Sequence, residues 1–331
     1  MATAEQVKAL IRSHTDGDND RFYSVALQVA AGEARQGHGR IAQEIRALID
    51  KAASRPLDSA ATPLHIAAPQ GELQDLLSVS HPQVRLSDMV IEKQLASRMN
   101  RILNEQRHLG RIRAHGLKPR QKLLLVGPPG SGKTMTAAAM AGELGIPLCV
   151  VRLDALVTKY LGETSTKLRL IFEAINSTRA VYLFDEFDSI GTQRGAGHDV
   201  GEMRRVLNTF LTLLEEMHSM SLVLAATNYP DSLDHALFRR FDDLFEYALP
   251  DSESIDRMLH ARLAAYENSE LNFRKLVTTA KGLSFAEVAR ACEEAAKDMV
   301  IHQRETLATS DVVEAIRERK QLRQRKRPPS A

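Results

Sequence analysis

The eight residues from Gly127 to Thr134, GPPGSGKT, have the composition and spacing of a phosphate-binding loop. They match the pattern G-x-x-x-x-G-K-[ST], and they lie between an apolar run and an alanine-rich segment with helical character. The glycines let backbone N–H groups face phosphate oxygens, and the N-terminus of the following helix adds a favourable dipole. Lys133 is predicted to reach the β- and γ-phosphates of ATP, and Thr134 to offer its hydroxyl to Mg²⁺. The predicted nucleotide contacts are Gly127, Pro128, Pro129, Gly130, Ser131, Gly132, Lys133, Thr134, Met135 and Asp185.

Two carboxylates, Asp185 and Glu186, follow directly after the apolar run 181–184. Two acidic residues at the end of a strand are on their own more typical of a solvated edge. Behind a phosphate loop, Asp185 is predicted to hold Mg²⁺, directly or through water, and Glu186 to orient and polarise the attacking water. Asp188 is assigned a supporting structural role. The sequence therefore predicts a Mg²⁺-dependent ATPase, with Thr134 and Asp185 as the metal ligands.

Five apolar runs alternate with helical patterns from Gln121 onward, which predicts an α/β fold with a five-stranded parallel sheet flanked by helices. After Pro250 the strands stop, and helices are expected near residues 251–266, 271–280, 284–303 and 309–322, as a helical lid. The predicted strands are Lys122–Val126, Leu148–Arg152, Val181–Phe184, Leu222–Ala226 and Leu244–Leu249.

The predicted domain organisation has five parts. Three amphipathic helices form an N-terminal module that would bind a substrate or adaptor, and a proline-containing linker follows it. The large ATPase subdomain opens with a helix from Ser87-Asp88 to near Leu109, and it is followed by the lid and a basic, disordered tail. The ranges are 1–53 for the module, 54–86 for the linker, 87–250 for the large subdomain, 251–319 for the lid and 320–331 for the tail.

Composition excludes several classes of protein. The net charge of +2 provides no global field for a polyanionic partner. Cys149 and Cys292 lack disulfide-framework or zinc-ligand spacing, and each is expected to be a small buried residue. Neither an N-terminal signal pattern nor an apolar run long enough for a membrane span occurs, so the protein is expected to be cytoplasmic.

With these motifs in this order, residues 85–319 resemble the AAA+ ATPases of the classical AAA clade. The segment Leu222–Asn228, LVLAATN, is similar to the strand that carries the family's sensor asparagine. The resemblance implies that Asn228 lies between the carboxylates and the phosphate loop, where it contacts the γ-phosphate or the attacking water. Arg239 and Arg240 stand where the family has arginine fingers, which implies that they act on the nucleotide of a neighbouring subunit in a hexameric ring.

A second resemblance concerns the substrate. Residues 158–163, TKYLGE, are similar to the first pore loop of the AAA clade, which implies that Lys159, Tyr160 and Leu161 face a central channel. A tyrosine can grip varied side chains without requiring one sequence. The glycine-rich segment Gly191–Gly201 is assigned to a second pore-facing loop.

The lid departs from the family pattern at Phe285, where the family has a glycine close to the adenine. Ser284 and Glu287 still fit a capping box at the start of a helix. The departure leaves the adenine contacts open. Arg290 is a weaker candidate for a second sensor.

The leading hypothesis is a hexameric ring that remodels, unfolds or disassembles a protein substrate through a central pore. The alternative is a nucleic-acid-associated loader or transposition accessory ATPase, supported by the basic tail and segment 98–120. Sparse aromatic residues and the Lys-Tyr-Leu-Gly context of Tyr160 argue against a nucleic-acid partner. A module that senses ATP without turnover is disfavoured by Glu186. A separate peptidase partner stays open, since neither His-Glu-x-x-His nor Gly-x-Ser-x-Gly occurs.

Overall fold

The computed structural model of the protein describes residues 71–156, 161–188, 199–230, 235–266 and 271–326, together with isolated positions before residue 66. The chain divides into two compact units, residues 1–65 and 66–331, and every element below belongs to the second. The predicted N-terminal module and most of the predicted linker lie outside the described residues.

Within the described ranges, one sheet of six strands is flanked by helices. The strands are β1 (Leu77–Ser80), β2 (Lys122–Val126), β3 (Leu148–Val151), β4 (Val181–Phe184), β5 (Leu222–Thr227) and β6 (Asp243–Glu246). The helices before β5 are α1 (Glu72–Leu76), α2 (Lys93–Arg107), α3 (Leu109–Ala114), α4 (Lys133–Leu144), α5 (Leu153–Leu156), α6 (Leu161–Ser177) and α7 (Asp199–Glu215). The helices after it are α8 (His235–Phe238), α9 (Ser252–Leu263), α10 (Phe273–Ala280), α11 (Phe285–Ile301) and α12 (Thr309–Lys326).

The strand order is β1-β3-β4-β5-β2-β6, in which β2 to β6 run parallel and β1 pairs antiparallel with β3. The α/β fold and the five predicted parallel strands are confirmed. The sixth strand, β1, was not predicted, and it falls in the segment 54–86 that was interpreted as a linker. Its four residues, LSVS, alternate apolar and polar side chains, but the segment is short and its pairing with β3 is a tertiary contact.

The four central strands, β2 to β5, are buried on both faces of the sheet, which explains why they are almost entirely apolar rather than alternating. Along β2, Leu124 and Val126 pack in a core with α6 and α7, while Leu123 and Leu125 pack in a second core with α2 and α4. The rigid sheet therefore fixes where each strand ends, and the functional side chains follow those ends.

The segment before β2 differs from the prediction of one long helix beginning at Ser87-Asp88. Residues Leu86–Asp88 form a single 3₁₀ turn, whose Asp88 carboxylate accepts a hydrogen bond from the Arg85 N–H at 2.8 Å. The chain is extended at Met89, and α2 begins only at Lys93. The Asp88 carboxylate is bonded within this turn, five residues before the helix begins, so it does not cap the helix.

The four helices α9 to α12 form a lid subdomain with its own hydrophobic core, as predicted. Ser284 and Glu287 form the predicted capping box at the start of α11. The prediction that residues 320–331 form a disordered tail is wrong as far as Lys326, because α12 continues to that residue. Arg319 and Arg323 form ion pairs with glutamates of α11, and these contacts hold the basic helix against the lid. Among the described residues, no helix is both long and apolar enough to cross a membrane.

Candidate functional site

The phosphate loop joins β2 to α4 and depends on backbone conformations that only glycine adopts readily. Gly127 and Gly130 have φ angles of 152° and 74°. A Cβ on Gly127 would lie 2.4 Å from the carbonyl oxygen of Tyr247, so a side chain there would collide with the strand β6 region. Pro129 is exposed within the loop, and Met135 is half-buried in the first turn of α4.

Lys133 is buried at the start of α4, with 6% of its surface exposed. Its Nζ donates to the carbonyl oxygens of Gly127 at 2.7 Å and Pro128 at 3.0 Å, and to Asn228 Oδ1 at 2.8 Å. Burial lowers the pKa of this lysine, and the nearby carboxylate of Asp185 opposes that shift. The ammonium group is thus fixed inside the loop, against the end of β5.

The hydroxyl of Thr134 and the carboxylate of Asp185 meet at this edge of the sheet. Thr134 Oγ1 donates to Asp185 Oδ2 at 2.6 Å, and Asp185 Oδ1 accepts from the backbone N–H of Glu186 at 2.9 Å. A hydroxyl oxygen beside a carboxylate is a donor set suited to Mg²⁺, which prefers oxygen ligands. The two predicted metal ligands are therefore adjacent, as the sequence pattern requires.

Glu186 has a left-handed backbone, with φ at 51°, which is uncommon for a residue with a side chain. The following residue, Phe187, holds this conformation in place. Its side chain is fully buried, and its N–H donates to the Ala226 carbonyl at 2.8 Å. The Glu186 side chain is consequently exposed while its neighbours are fixed. Strain of this kind, held by rigid surroundings, is typical of functional positions.

Asn228 follows β5, which lies between β2 and β4, so its side chain falls between the phosphate loop and the carboxylates. Asp188 holds this segment, since its Oδ1 accepts from Thr227 Oγ1 at 3.0 Å and from the Asn228 N–H at 3.3 Å. The contact between Asn228 and Lys133 joins the two strand ends directly.

The start of lid helix α11 contacts the phosphate loop, which the sequence did not indicate. The Ala286 N–H donates to the Gly130 carbonyl at 3.1 Å. A Cβ on Gly130 would lie 2.7 Å from Ser284 Oγ and 3.0 Å from Ala286 Cβ. Phe285, the departure noted in the sequence, is half-buried against the lid core. The capping box was a sequence signal for the helix start, but no local pattern shows what that start touches.

The loop also contains a buried polar group that has no partner. Ser131 Oγ is buried and makes no hydrogen bond, within the described residues. A buried hydroxyl without a partner is costly, so the position suits a ligand that supplies polar atoms, as the oxygens of a phosphate would.

Arg239 and Arg240 are not brought to this site. They precede Asp242, whose Oδ2 accepts from the Lys122 N–H at 2.9 Å, at the beginning of β2. The phosphate loop lies at the other end of that five-residue strand, about 15 Å away. Arg240 instead forms an exposed ion pair with Glu215 at the end of α7.

The predicted pore residues lie largely outside the described part of the chain. Lys159 and Tyr160 are outside it, and Leu161 is described only as the first residue of α6. Most of the second predicted loop, Gly191–Gly201, also lies outside it. Arg290 is exposed on α11 and, among the described residues, forms no hydrogen bond or ion pair with the phosphate loop.

Comparison with known proteins agrees with this geometry. Residues 123–249 match the model of the ATPase family associated with various cellular activities (AAA). Over 96% of both chains, the sequence is 34% identical to an uncharacterized AAA family ATPase, y4kL, of Sinorhizobium fredii. It is 33% identical to the ATP-dependent zinc metalloprotease FtsH 4 of Sphaerobacter thermophilus and 34% identical to an FtsH of a Synechococcus species. The matches to these two proteases cover 65% of this chain but only 34% and 35% of theirs.

Proposed function

Since the chain belongs to the AAA family of ATPases, we propose that it couples hydrolysis of Mg²⁺-ATP to the remodelling of a protein substrate in a ring oligomer. The observation that carries the proposal is the meeting of three strand ends at one edge of the sheet. Lys133 bonds to Asn228, and Thr134 bonds to Asp185, next to the exposed carboxylate of Glu186.

The residues divide the work of hydrolysis among them. The phosphate loop binds the triphosphate through its backbone N–H groups, and Lys133 neutralises charge on the β- and γ-phosphates. Thr134 and Asp185 would hold Mg²⁺, which when bound would supply positive charge to offset the negative charge of the triphosphate. Glu186 accepts a proton from the attacking water and orients it, and its exposed side chain leaves room for that water. Asn228 positions the same water or the γ-phosphate from the opposite side.

Neither predicted arginine finger lies at the γ-phosphate position of its own chain, where the reaction would need one. Arg239 and Arg240 lie at the opposite edge of the sheet from Lys133, separated by the length of β2. Their position suits contact with the nucleotide of a second copy of the chain, which is why we propose a ring, with six subunits by resemblance to the family.

A polypeptide substrate is proposed from the pore-loop resemblance at Lys159, Tyr160 and Leu161. Two relatives are named as ATP-dependent metalloproteases, and the shared region is the ATPase part of this chain. The given sequence contains no His-Glu-x-x-His pattern, and we leave a separate peptidase partner open. The N-terminal helices, residues 1–53, are proposed to bind the substrate or an adaptor.

The alternative is an ATPase that works on nucleic acid, and one surface favours it. Arg101, Arg111 and Lys118 are exposed on and after α2 and α3, and within the described residues they have no ion-pair partner. Such a surface would bind phosphate groups without reading a base sequence.

A substrate trap distinguishes the two functions. Glu186→Gln protein is purified with ATP from its own cells, because loss of the base should retain ATP and arrest the ring on its substrate. The matched control is Lys133→Ala/Glu186→Gln, which should bind no ATP and recover nothing. Proteins that are held by the single variant and lost with Tyr160→Ala would support remodelling of polypeptides. Nucleic acid that is removed by nuclease would instead favour the loader, and proteins held regardless of Tyr160 would refute the pore assignment.

A further inference from the structure

We propose that Arg323, on the C-terminal helix α12, is a positioning residue for the nucleotide. It lies outside every predicted motif and holds the first turn of lid helix α11 against the phosphate loop. This inference rests on nucleotide binding at that loop, and it concerns how tightly the loop binds rather than the chemical step.

Arg323 reaches both sides of the turn that begins α11. Its Nη1 donates to the carbonyl oxygen of Gly282 and lies 3.6 Å from Glu287 Oε2. Gly282 has a φ angle of 87° and forms the bend between α10 and α11. One guanidinium group therefore links the residue before the helix to a residue in its first turn.

Glu287 connects Arg323 to Ser284, the residue that caps the start of α11. Its Oε2 accepts from the Ser284 N–H at 2.7 Å and from Ser284 Oγ at 2.9 Å. Both partners of the capping box are thereby fixed in relation to Arg323. Arg323 adds a charge-assisted hydrogen bond to Gly282 and an ion pair with Glu287, so the helix start is held more firmly than by the capping box alone.

The fixed helix start in turn fixes one peptide of the phosphate loop. The Ala286 N–H bonds to the Gly130 carbonyl at 3.1 Å. Because a trans peptide is planar, with its C=O and N–H pointing in opposite directions, holding the Gly130 oxygen also sets the direction of the Ser131 N–H. That N–H donates to the Pro128 carbonyl at 3.3 Å, so the contact from α11 stabilises the turn of the loop that would bind phosphate. Arg323 thus acts on the loop through three successive contacts. Arg323 pairs with Glu287, Glu287 bonds to Ser284, and the helix start that begins there bonds to Gly130 through Ala286.

The same two helices contain a matched control, Arg319 with Glu294. Arg319 Nε donates to Glu294 Oε2 at 2.9 Å. The side chains of this pair are 21% and 37% exposed, against 35% and 26% for Arg323 and Glu287. Glu294 is seven residues further along α11 than Glu287, about 10 Å from that residue and further still from the helix start. The control pair therefore joins α12 to α11 without touching the turn that meets the loop.

The test compares wild type with Arg323→Gln, Arg319→Gln and Arg323→Lys, using titration with a fluorescent ATP analogue and thermal unfolding. Binding is measured rather than turnover, since turnover also depends on assembly. Arg323→Gln should raise the Kd about three- to tenfold, the loss expected for one partly exposed charge-assisted hydrogen bond. Arg319→Gln should change the Kd less than about twofold. It should lower the melting temperature about as much as Arg323→Gln does. Arg323→Lys should recover part of the affinity, because an ammonium group can still donate to the Gly282 carbonyl.

Each result decides the matter. A Kd that changes for Arg323→Gln alone, at equal thermal stability, supports the positioning role. Equal Kd values for Arg323→Gln and Arg319→Gln overturn it. If the wild-type protein itself fails to bind the analogue while remaining folded, the proposed function fails together with the positioning role.

Discussion

Replacement of Arg240 by alanine should abolish hydrolysis without abolishing ATP binding. The loop, Lys133 and the Thr134–Asp185 pair lie at one edge of the sheet, and Arg240 lies at the other. The about 15 Å of β2 between them keeps this arginine away from its own nucleotide. The Kd for a fluorescent ATP analogue should therefore stay within about twofold of the wild-type value, while kcat falls about a thousandfold or more, as for loss of an arginine finger.

Mixing two inactive variants makes the prediction quantitative. Arg240→Ala retains Glu186 but lacks the arginine, and Glu186→Gln retains the arginine but lacks the base. If subunits mix at random in equal amounts, about a quarter of the interfaces join an intact Glu186 to an intact Arg240 of the neighbour. A coupled phosphate-release assay should then recover up to about a quarter of the wild-type rate per subunit, where each variant alone gives almost none.

The ion pair between Arg240 and Glu215 supplies the control. Glu215→Gln breaks the same contact but keeps the arginine, so it should retain wild-type hydrolysis. The pair is 43% and 44% exposed, so its loss should cost about 0–1 kcal/mol of stability. The reasoning is refuted if Glu215→Gln is as inactive as Arg240→Ala. It is equally refuted if an equimolar mixture of subunits that have exchanged, verified by labelled subunits, gives no more activity than the separate variants.

Two further predictions concern the site and the thiols. Asn228→Ala removes the acceptor of a 2.8 Å bond from Lys133, so ATP should bind within about threefold of wild type while kcat falls about ten- to hundredfold, measured by titration and steady-state hydrolysis. Unchanged kcat would exclude Asn228 from the reaction. Burial raises the pKa of both Cys149 and Cys292 to about 11, so roughly one thiol in a thousand is ionised at pH 8. Both should therefore resist a disulfide reagent in the folded protein at pH 8 and react once it is unfolded, and rapid reaction of either in the folded state would contradict the burial.

The strand-borne parts of the site could be predicted because each is encoded locally. A few consecutive residues are enough to identify the glycine-rich loop with Lys133 as a phosphate-binding motif. The same holds for the apolar strand that is followed by Asp185. The parallel arrangement of such strands then requires that their carboxyl ends meet at one edge, and the Thr134–Asp185 contact follows. Asn228 needed the family resemblance, since in isolation it is an ordinary turn residue.

The parts that escaped prediction depend on contacts between distant segments. Strand β1 pairs with β3 across about 70 residues of sequence, and the alternation of its four residues is too short to distinguish a strand from a linker. The basic residues near the C-terminus have the composition of a solvated tail, and the contacts that hold α12 on the lid, among them the ion pair of Arg323 with Glu287, join distant segments. The contact of Ala286 with Gly130 is likewise invisible in sequence, because backbone atoms make it.

The division of groups between the two edges of the sheet constrains any assembly that completes the site. If Arg240 of one copy serves the nucleotide of another, the arginine edge of each chain must meet the phosphate-loop edge of the next. Such a contact joins two different surfaces, so it cannot form a closed dimer of the self-complementary kind. Repetition of it gives either a ring or an open filament, and only a ring supplies every loop with an arginine. The hydrolysis rate per subunit would then rise steeply with protein concentration and level off once rings close. A filament of any length would instead have one subunit at its end whose phosphate loop receives no arginine from a neighbour.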